Sequence, residues 1–261
     1  MTEVTQHSPR RDPIGDRFFK PLEQANKSAD VLFYVTAALS FLALLVNRES
    51  QSVLYDIVQA SFVLAVIISF VLGLVLRLYW RPRAEDARRT ELLSNTSAVA
   101  LTHEQTVGYY NNEQTDPTRR LGVALLENSL FSKTIALEMA KTERIKVSFY
   151  VVIFFILLLI RRTDLAIAST AAQAVFSEQI ISQWLRLEWL RTRFDTTYSS
   201  LYTLFQSSPT KPVLYAKVLE AFAYYETSKS NGGVTLSSKI FNRLNPTLSG
   251  EWDKIKATLG L

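Results

Sequence analysis

The sequence predicts an all-α membrane protein with four transmembrane helices, a helical cytoplasmic insert and a helical C-terminal region. Apolar residues are concentrated in four blocks, although the mean hydropathy of the whole chain is only +0.08. Cations cluster beside those blocks, and the polar segments between them lack the alternation typical of β-strands. The predicted segments are a polar N-terminal tail (1–28), a first transmembrane hairpin (29–80), the insert (81–146), a second transmembrane hairpin (147–186) and the C-terminal region (187–261).

The first hairpin is predicted from two uncharged apolar blocks. A helix needs about 20 residues, at about 1.5 Å per residue, to cross roughly 30 Å of hydrocarbon. Residues 31–47 carry no charge, and residues 57–76 form the clearest span in the chain. Tyr79 and Trp80 follow with arginines beside them, which is typical of a helix end in the headgroup layer.

The second hairpin is predicted from two shorter blocks. Residues 147–160 cover about 21 Å as a helix, so the flanking Lys146 and Arg161 would extend their side chains to the interface. The last block, 165–185, is uncharged up to Ser177. Because Arg161 and Arg162 separate the two blocks, a shallow re-entrant hairpin is the alternative topology.

Loop charges predict the orientation of the hairpins. The turn between the first two blocks has only Arg48, whereas the segments before and after each hairpin carry several Lys and Arg residues. The positive-inside rule therefore predicts a multi-pass protein of the bacterial inner membrane, with the insert and both termini in the cytoplasm. The pair Arg161 and Arg162 is the one feature that does not fit this rule.

Few residues are suited to catalysis. The chain has two histidines, His7 and His103, and no cysteine, which excludes disulfides and zinc–cysteine sites. It also lacks a phosphate-binding glycine loop, a two-histidine zinc motif and a nucleophile elbow. We therefore expect a protein that is not an enzyme and needs no cofactor.

Polar residues in the fourth block form the first candidate functional group. Polar side chains at membrane depth are costly, so they face protein or water. We expect this helix to line a pore between subunits, because its small residues let helices pack closely. The alternative is that the bilayer ends near Ser177 and the later residues are already cytoplasmic. The candidate pore-lining residues are Gln173, Glu178, Gln179 and Gln183.

Aromatic, amide and basic residues of the cytoplasmic segments form the second candidate group. Aromatic rings stack on bases and guanidinium groups bind phosphates, so this group predicts an oligonucleotide ligand. A similar set, with Tyr224, Tyr225, Lys229 and Asn231, occurs nearer the C-terminus. The alternative is a solvated turn with some core tyrosine. The candidate ligand-binding residues are Tyr109, Tyr110, Asn111, Asn112, Arg119, Arg120, Lys133, Lys141, Arg191 and Arg193.

Two stretches carry a resemblance to a known family: YYNNEQTDPTRRLGVALLENSLFSKTIALEMAK (109–141) and YYETSKSNGGVTLSSKIFNRLNPTLSGEWDKIK (224–256). With the order of spans, insert and helical tail, the chain resembles the four-transmembrane effectors that accompany SMODS nucleotidyltransferases in antiphage defence. The Hailong-type effector is the nearest comparison, and the CBASS-type effectors are the wider group.

The resemblance implies a homo-oligomer, with a tetramer favoured, that opens a pore or disrupts the membrane potential. It also implies a controlling ligand made by a partner nucleotidyltransferase. That ligand is either a cyclic oligonucleotide that activates the effector or a single-stranded DNA oligomer that holds it closed.

Two other classes of protein have a similar layout. A membrane scaffold would bind a protein partner through its cytoplasmic helices and conduct nothing. A transporter would need longer spans and inverted repeats. Both remain alternatives to the effector.

Overall fold

The computed structural model describes residues 11–103, 106, 112–159 and 165–261, without the side chains of Leu165 and Glu178. About 86% of the chain is helical, and the described part contains no strand, so the predicted all-α class is confirmed. The helices are α1 (Gly15–Leu45), α2 (Ser52–Ser97), α3 (Pro117–Leu159), α4 (Leu165–Val175), α5 (Gln183–Gln206), α6 (Lys211–Gly232) and α7 (Ser238–Leu259).

Several helix ends follow local signals in the sequence. α3 begins at Pro117, where the side chain of Asp116 accepts a hydrogen bond from the Arg119 N–H at 2.8 Å. α6 is followed by Gly233, whose φ of 57° is strained for residues with a Cβ. The last segment forms a single helix, α7. Pro246 lies inside it and removes only the donor to Asn242, an exposed residue.

Helices α1 and α2 are long and apolar enough to cross a membrane. The sequence predicts four such helices, but only these two pass by length and composition in the described part of the chain. The described apolar end of α3 has only 13 uncharged residues, 147–159, directly after Lys146. Helix α4 has 11 residues, which cover about 16 Å.

The apolar residues of α1 and α2 are not buried in a protein core. None of the most apolar stretch of α1 and only 11% of that of α2 is buried. Val63, Ile67 and Phe70 are examples of exposed side chains on α2. A core helix of a soluble protein buries such residues, so these two helices need apolar surroundings. We call this exposed surface the apolar band.

A second part of the molecule, the helical bundle, has an ordinary buried core. The first half of α3 packs against α5, α6, α7 and the polar half of α2. Gly122 permits the close approach, because a Cβ there would lie 2.8 Å from Val218 and 2.9 Å from Phe205. The largest fully buried side chains of this core are Leu125, Leu126, Leu130, Leu190, Phe194, Leu201 and Val218.

Helices α2 and α3 belong to both parts of the molecule. α2 has 46 residues and is about 69 Å long, and it changes from apolar to polar at a π-helical segment, Leu76–Trp80. Tyr79 and Trp80 are exposed at this point, where the sequence predicts the headgroup layer. α3 has 43 residues and runs in the opposite sense, from the bundle into its own apolar end.

The N-terminal segment is anchored to the polar half of α2. α1 begins at Gly15, within the segment that the sequence predicts to be a polar tail. Asp12 accepts a hydrogen bond from the Gly15 N–H at 2.9 Å and pairs with Arg88 of α2 at 2.7 Å. Ile14 and Leu22 are each 1% exposed. The start of α1 is thus packed protein, despite its polar composition.

Replacing Gly122 by alanine is expected to lower the stability of the bundle by about 1 kcal/mol. Forcing a Cβ against Val218 and Phe205 costs about 1–3 kcal/mol, more than the gain of about 0.5–1 kcal/mol from alanine in a helix. Gly250 of α7 is the matched control, since nothing lies within 4 Å of its Cβ position. Thermal unfolding by circular dichroism should give Gly122→Ala a lower Tm than wild type, and Gly250→Ala a higher one; the reverse order contradicts the packing.

Candidate functional site

Helix α4 has two different faces. Ala168, Ala171 and Val175 are buried, and the helix packs against α1 and α3. Ser169 and Gln173 are exposed on the opposite side, and their spacing of four places them on one face. Gln173, a predicted pore-lining residue, therefore faces away from its own protomer.

The other predicted pore-lining residues are separated from Gln173 by a break in the helix. α4 ends at Val175, and a π-helical segment, Glu178–Ser182, precedes α5. The sequence favours a single helix through this region. Gln179 and Gln183 are half-buried, and the side chain of Glu178 lies outside the described part. The break places Ile180, 2% exposed, against an apolar cavity of about 220 Å³ between α1, α3 and α4.

The predicted anion contacts do not form one compact site. Arg119 and Arg120 lie at the start of α3, and Lys141 lies 22 residues later on the same helix, which is about 33 Å along the axis. Arg191 and Arg193 lie on α5. An anion that touches all of them would have to be long and extended.

Four of these six cations are already engaged within the bundle. Lys133 pairs with Asp195 at 2.9 Å, and Lys141 pairs with Glu138. Arg191 pairs with Glu188 at 3.3 Å. The guanidinium of Arg193 lies 5.0 Å from the ring centre of Trp189 and donates a hydrogen bond to the hydroxyl of Tyr224. A phosphate ligand would have to compete with these interactions.

Arg119 and Arg120 differ from the other four. Neither forms an ion pair within the described ranges. Arg119 donates to the amide oxygen of Gln114 at 2.8 Å and lies over the ring of Phe205. The Nε of Arg120 is buried without a partner, while its carbonyl accepts a hydrogen bond from Asn112 at 2.7 Å. The predicted stacking residues Tyr109 and Tyr110, with Asn111, lie outside the described residues.

A cavity of about 760 Å³ is a feature that the sequence does not indicate as a site. It lies between the start of α1, α2, α3, α6 and the segment that leads into α7. None of the predicted ligand-binding residues that are described here lines it. Tyr225 and Lys229 do line it. They belong to the second aromatic and basic stretch, which is the only part of the cavity wall that the sequence indicates as a ligand contact. The other walls come from segments far apart in the chain.

Glu188 connects α5 to α3 close to the apolar end of α3. Its carboxylate accepts hydrogen bonds from Arg144 of α3, from Trp184 at 3.2 Å and from Arg191 at 3.3 Å. These bonds, chiefly the one from Arg144, lower the pKa of Glu188 below its usual range. Glu188 is therefore charged and paired at neutral pH.

Comparisons with known proteins do not assign a family. No protein-family model, curated protein or solved structure matches the chain. Within the described residues no group of three or more His, Cys, Asp or Glu side chains is placed to hold a metal ion.

Glu188→Gln is expected to lower stability at neutral pH but not in acid. A carboxyl whose pKa is lowered by folding stabilises the protein above its unfolded pKa of about 4.3. That contribution is lost as the pH falls through the lowered value. Because Arg144 and Glu188 are partly exposed, the effect should stay below about 1 kcal/mol.

The measurement is the difference in Tm between Glu188→Gln and wild type as a function of pH. This difference in Tm should be largest near neutral pH and close to zero in acid. Glu251→Gln, at an exposed position of α7, is the control and should show no such dependence. A difference that is constant with pH would exclude the charged network as its cause.

Proposed function

We propose that the protein is an oligomeric effector of the bacterial inner membrane, with four membrane-embedded helices and a cytoplasmic bundle that controls them. The observation that carries the proposal is the exposed polar face of α4, formed by Ser169 and Gln173. This face lies beside the apolar band. Ser169 donates a hydrogen bond to the carbonyl of Ala166 at 2.9 Å, whereas the exposed amide of Gln173 has no hydrogen-bond partner among the described residues.

The end of α3 extends the apolar band and supports a membrane position for the second hairpin. Phe149, Val152 and Phe155 are all more than half exposed, although an isolated bundle in water would bury them. α4 packs beside this end of α3 and against α1. Both segments are shorter than the hydrocarbon layer, so the second hairpin is embedded either as short spans that thin the bilayer around them or as a re-entrant pair.

Oligomerisation removes the cost of the polar α4 face. An amide in contact with acyl chains has no hydrogen-bond partner, which costs several kcal/mol by order of magnitude. In an oligomer, Gln173 meets water or the same residue of another copy. Ala166 and Ser169 are small and exposed, so neighbouring helices approach closely at this face. A central pore lined by α4 then forms between subunits.

Continuous helices provide the route from ligand to membrane. Arg119 and Arg120 lie 28 and 27 residues before Val147 in α3, which is about 42 Å along the helix. A ligand at this end that binds the closed and open states with different affinity shifts their equilibrium. Because neither guanidinium forms an ion pair in the described part of the chain, this end of α3 favours an anion, and we propose an oligonucleotide.

The role in antiphage defence comes from the resemblance to SMODS-associated effectors. In that role a partner nucleotidyltransferase supplies the ligand, and the open homotetramer depolarises the membrane of an infected cell. The competing function is a non-conducting scaffold. It is favoured by the exposed Val213, Tyr215 and Leu219 of α6, which offer a protein-binding surface on the bundle.

Cysteine cross-linking tests the α4 interface directly, because the chain has no natural cysteine. We expect Ser169→Cys to form disulfide-linked dimers in bacterial membranes treated with an oxidant. Phe70→Cys, on the exposed apolar surface of α2, is the matched control and should remain monomeric. Absence of the Ser169→Cys dimer, or equal cross-linking at both positions, would contradict an interface at α4.

A membrane-potential dye separates an effector from a scaffold. The chain is expressed in bacteria with and without a partner nucleotidyltransferase, and we expect depolarisation in one of the two conditions. Gln173→Leu should reduce it at least tenfold at equal protein level, because the polar lining is lost. Phe176→Leu, at a neighbouring exposed apolar position, should leave it unchanged. No depolarisation in either condition would favour the scaffold.

A further inference from the structure

The 760 Å³ cavity of the bundle has the size and lining of a small-molecule site. Pockets that bind small molecules enclose about 300–1,000 Å³ and combine apolar walls with a few polar groups. Hydroxyl groups of Ser132 and Thr235 lie among its walls. Its aromatic and amide residues are Phe19, Phe131, Phe194, Tyr225, Phe241, Asn128, Asn242 and Asn245.

The cations of this cavity are already neutralised by neighbouring carboxylates. Arg88 pairs with Asp12 at 2.7 Å. Lys229 pairs with Glu226 at 2.8 Å, and Lys20 pairs with Asp16 at 2.6 Å. A phosphate in the cavity would have to displace a carboxylate from one of these cations and would meet the remaining negative charge.

The lining carries more carboxylates than cations. Five acidic residues and three basic residues line it, and Glu85 takes part in none of the three pairs. Glu85 forms no hydrogen bond or ion pair in the described part of the chain. Burial raises the pKa of Glu85, while Lys229 and Arg81 act in the opposite direction. The lining therefore has two more acidic than basic residues, and the carboxylate of Glu85 is acted on by Lys229 and Arg81 without forming an ion pair among the described residues.

We propose that this cavity binds an aliphatic polyamine, with an ammonium group against Glu85 and the methylene chain against the aromatic walls. An ammonium group gains from the carboxylate by charge and from aromatic faces by cation–π attraction. The amides and hydroxyls accept its remaining N–H groups. This site goes beyond the proposed oligonucleotide control, because it uses different residues and the opposite ligand charge.

The position of the cavity gives such a ligand a structural effect. Phe19, Lys20 and Leu22 belong to α1, one of the two candidate membrane helices, and Tyr225 and Lys229 belong to α6 of the bundle. A ligand between them contacts both elements at once. It therefore stabilises the arrangement in which the start of α1 is docked on the bundle.

Calorimetry on the full-length protein in detergent tests the proposal, with spermidine as the probe. We expect saturable binding of spermidine and none of AMP, an anion of similar size. Glu85→Gln should weaken spermidine binding about tenfold. Glu220→Gln is the matched control, since Glu220 is an exposed carboxylate of α6 outside the cavity, and it should bind like wild type.

Asn242→Arg provides a second variant that does not disturb a buried group, because Asn242 is exposed at the cavity wall. The added cation should abolish spermidine binding while the circular dichroism spectrum and Tm stay close to wild type. Absence of spermidine binding to wild type overturns the proposal. Unchanged binding in both variants, or displacement of spermidine by AMP, overturns it as well. These outcomes leave the proposed pore function untouched, because neither measurement depends on conduction.

Discussion

The rest of the structure depends on one constraint: the exposed apolar side chains of α1, α2 and the end of α3 need apolar surroundings. α1, α2 and the end of α3 expose large apolar residues such as Phe70 and Phe149, which water would not tolerate as a continuous surface. Each apolar stretch is helical, which pairs its backbone groups internally. Because α2 and α3 continue from this band into the bundle, the surroundings of one part and the packing of the other act on the same rigid elements.

Ion pairs connect the helices of the apolar band to other elements of the protein. Arg144 and Glu188 join α3 to α5, and Asp12 and Arg88 join the start of α1 to α2. Such pairs add little stability individually, yet each connects a helix of the apolar band to a second element. The polar face of α4 contrasts with them, since Ser169 donates only to the nearby carbonyl of Ala166 and the exposed amide of Gln173 has no partner among the described residues. That difference is the physical argument for a second copy.

Two regions of the bundle differ in the balance of their charged residues, although both contain aromatic and basic residues in the sequence. The start of α3 keeps Arg119 and Arg120 without a carboxylate among the described residues, whereas the large cavity keeps more carboxylates than cations. Three other predicted anion contacts are paired with carboxylates, Lys133 across helices and Lys141 and Arg191 within their own helix. The net charge of +5 therefore says little about which ligand charge a given surface prefers.

The sequence by itself determined the helical class, the uncharged block of α2 and local helix ends such as Asp116–Pro117, because periodicity, hydropathy and capping act between near neighbours. It did not indicate that Ile14 and Leu22 are buried, that Lys133 is paired or that α4 ends before Phe176. Those features depend on contacts between residues far apart in the chain, which only the tertiary structure decided. The cavity is the clearest case, since Glu85, Asn128 and Tyr225 share a wall only after α2, α3 and α6 have packed.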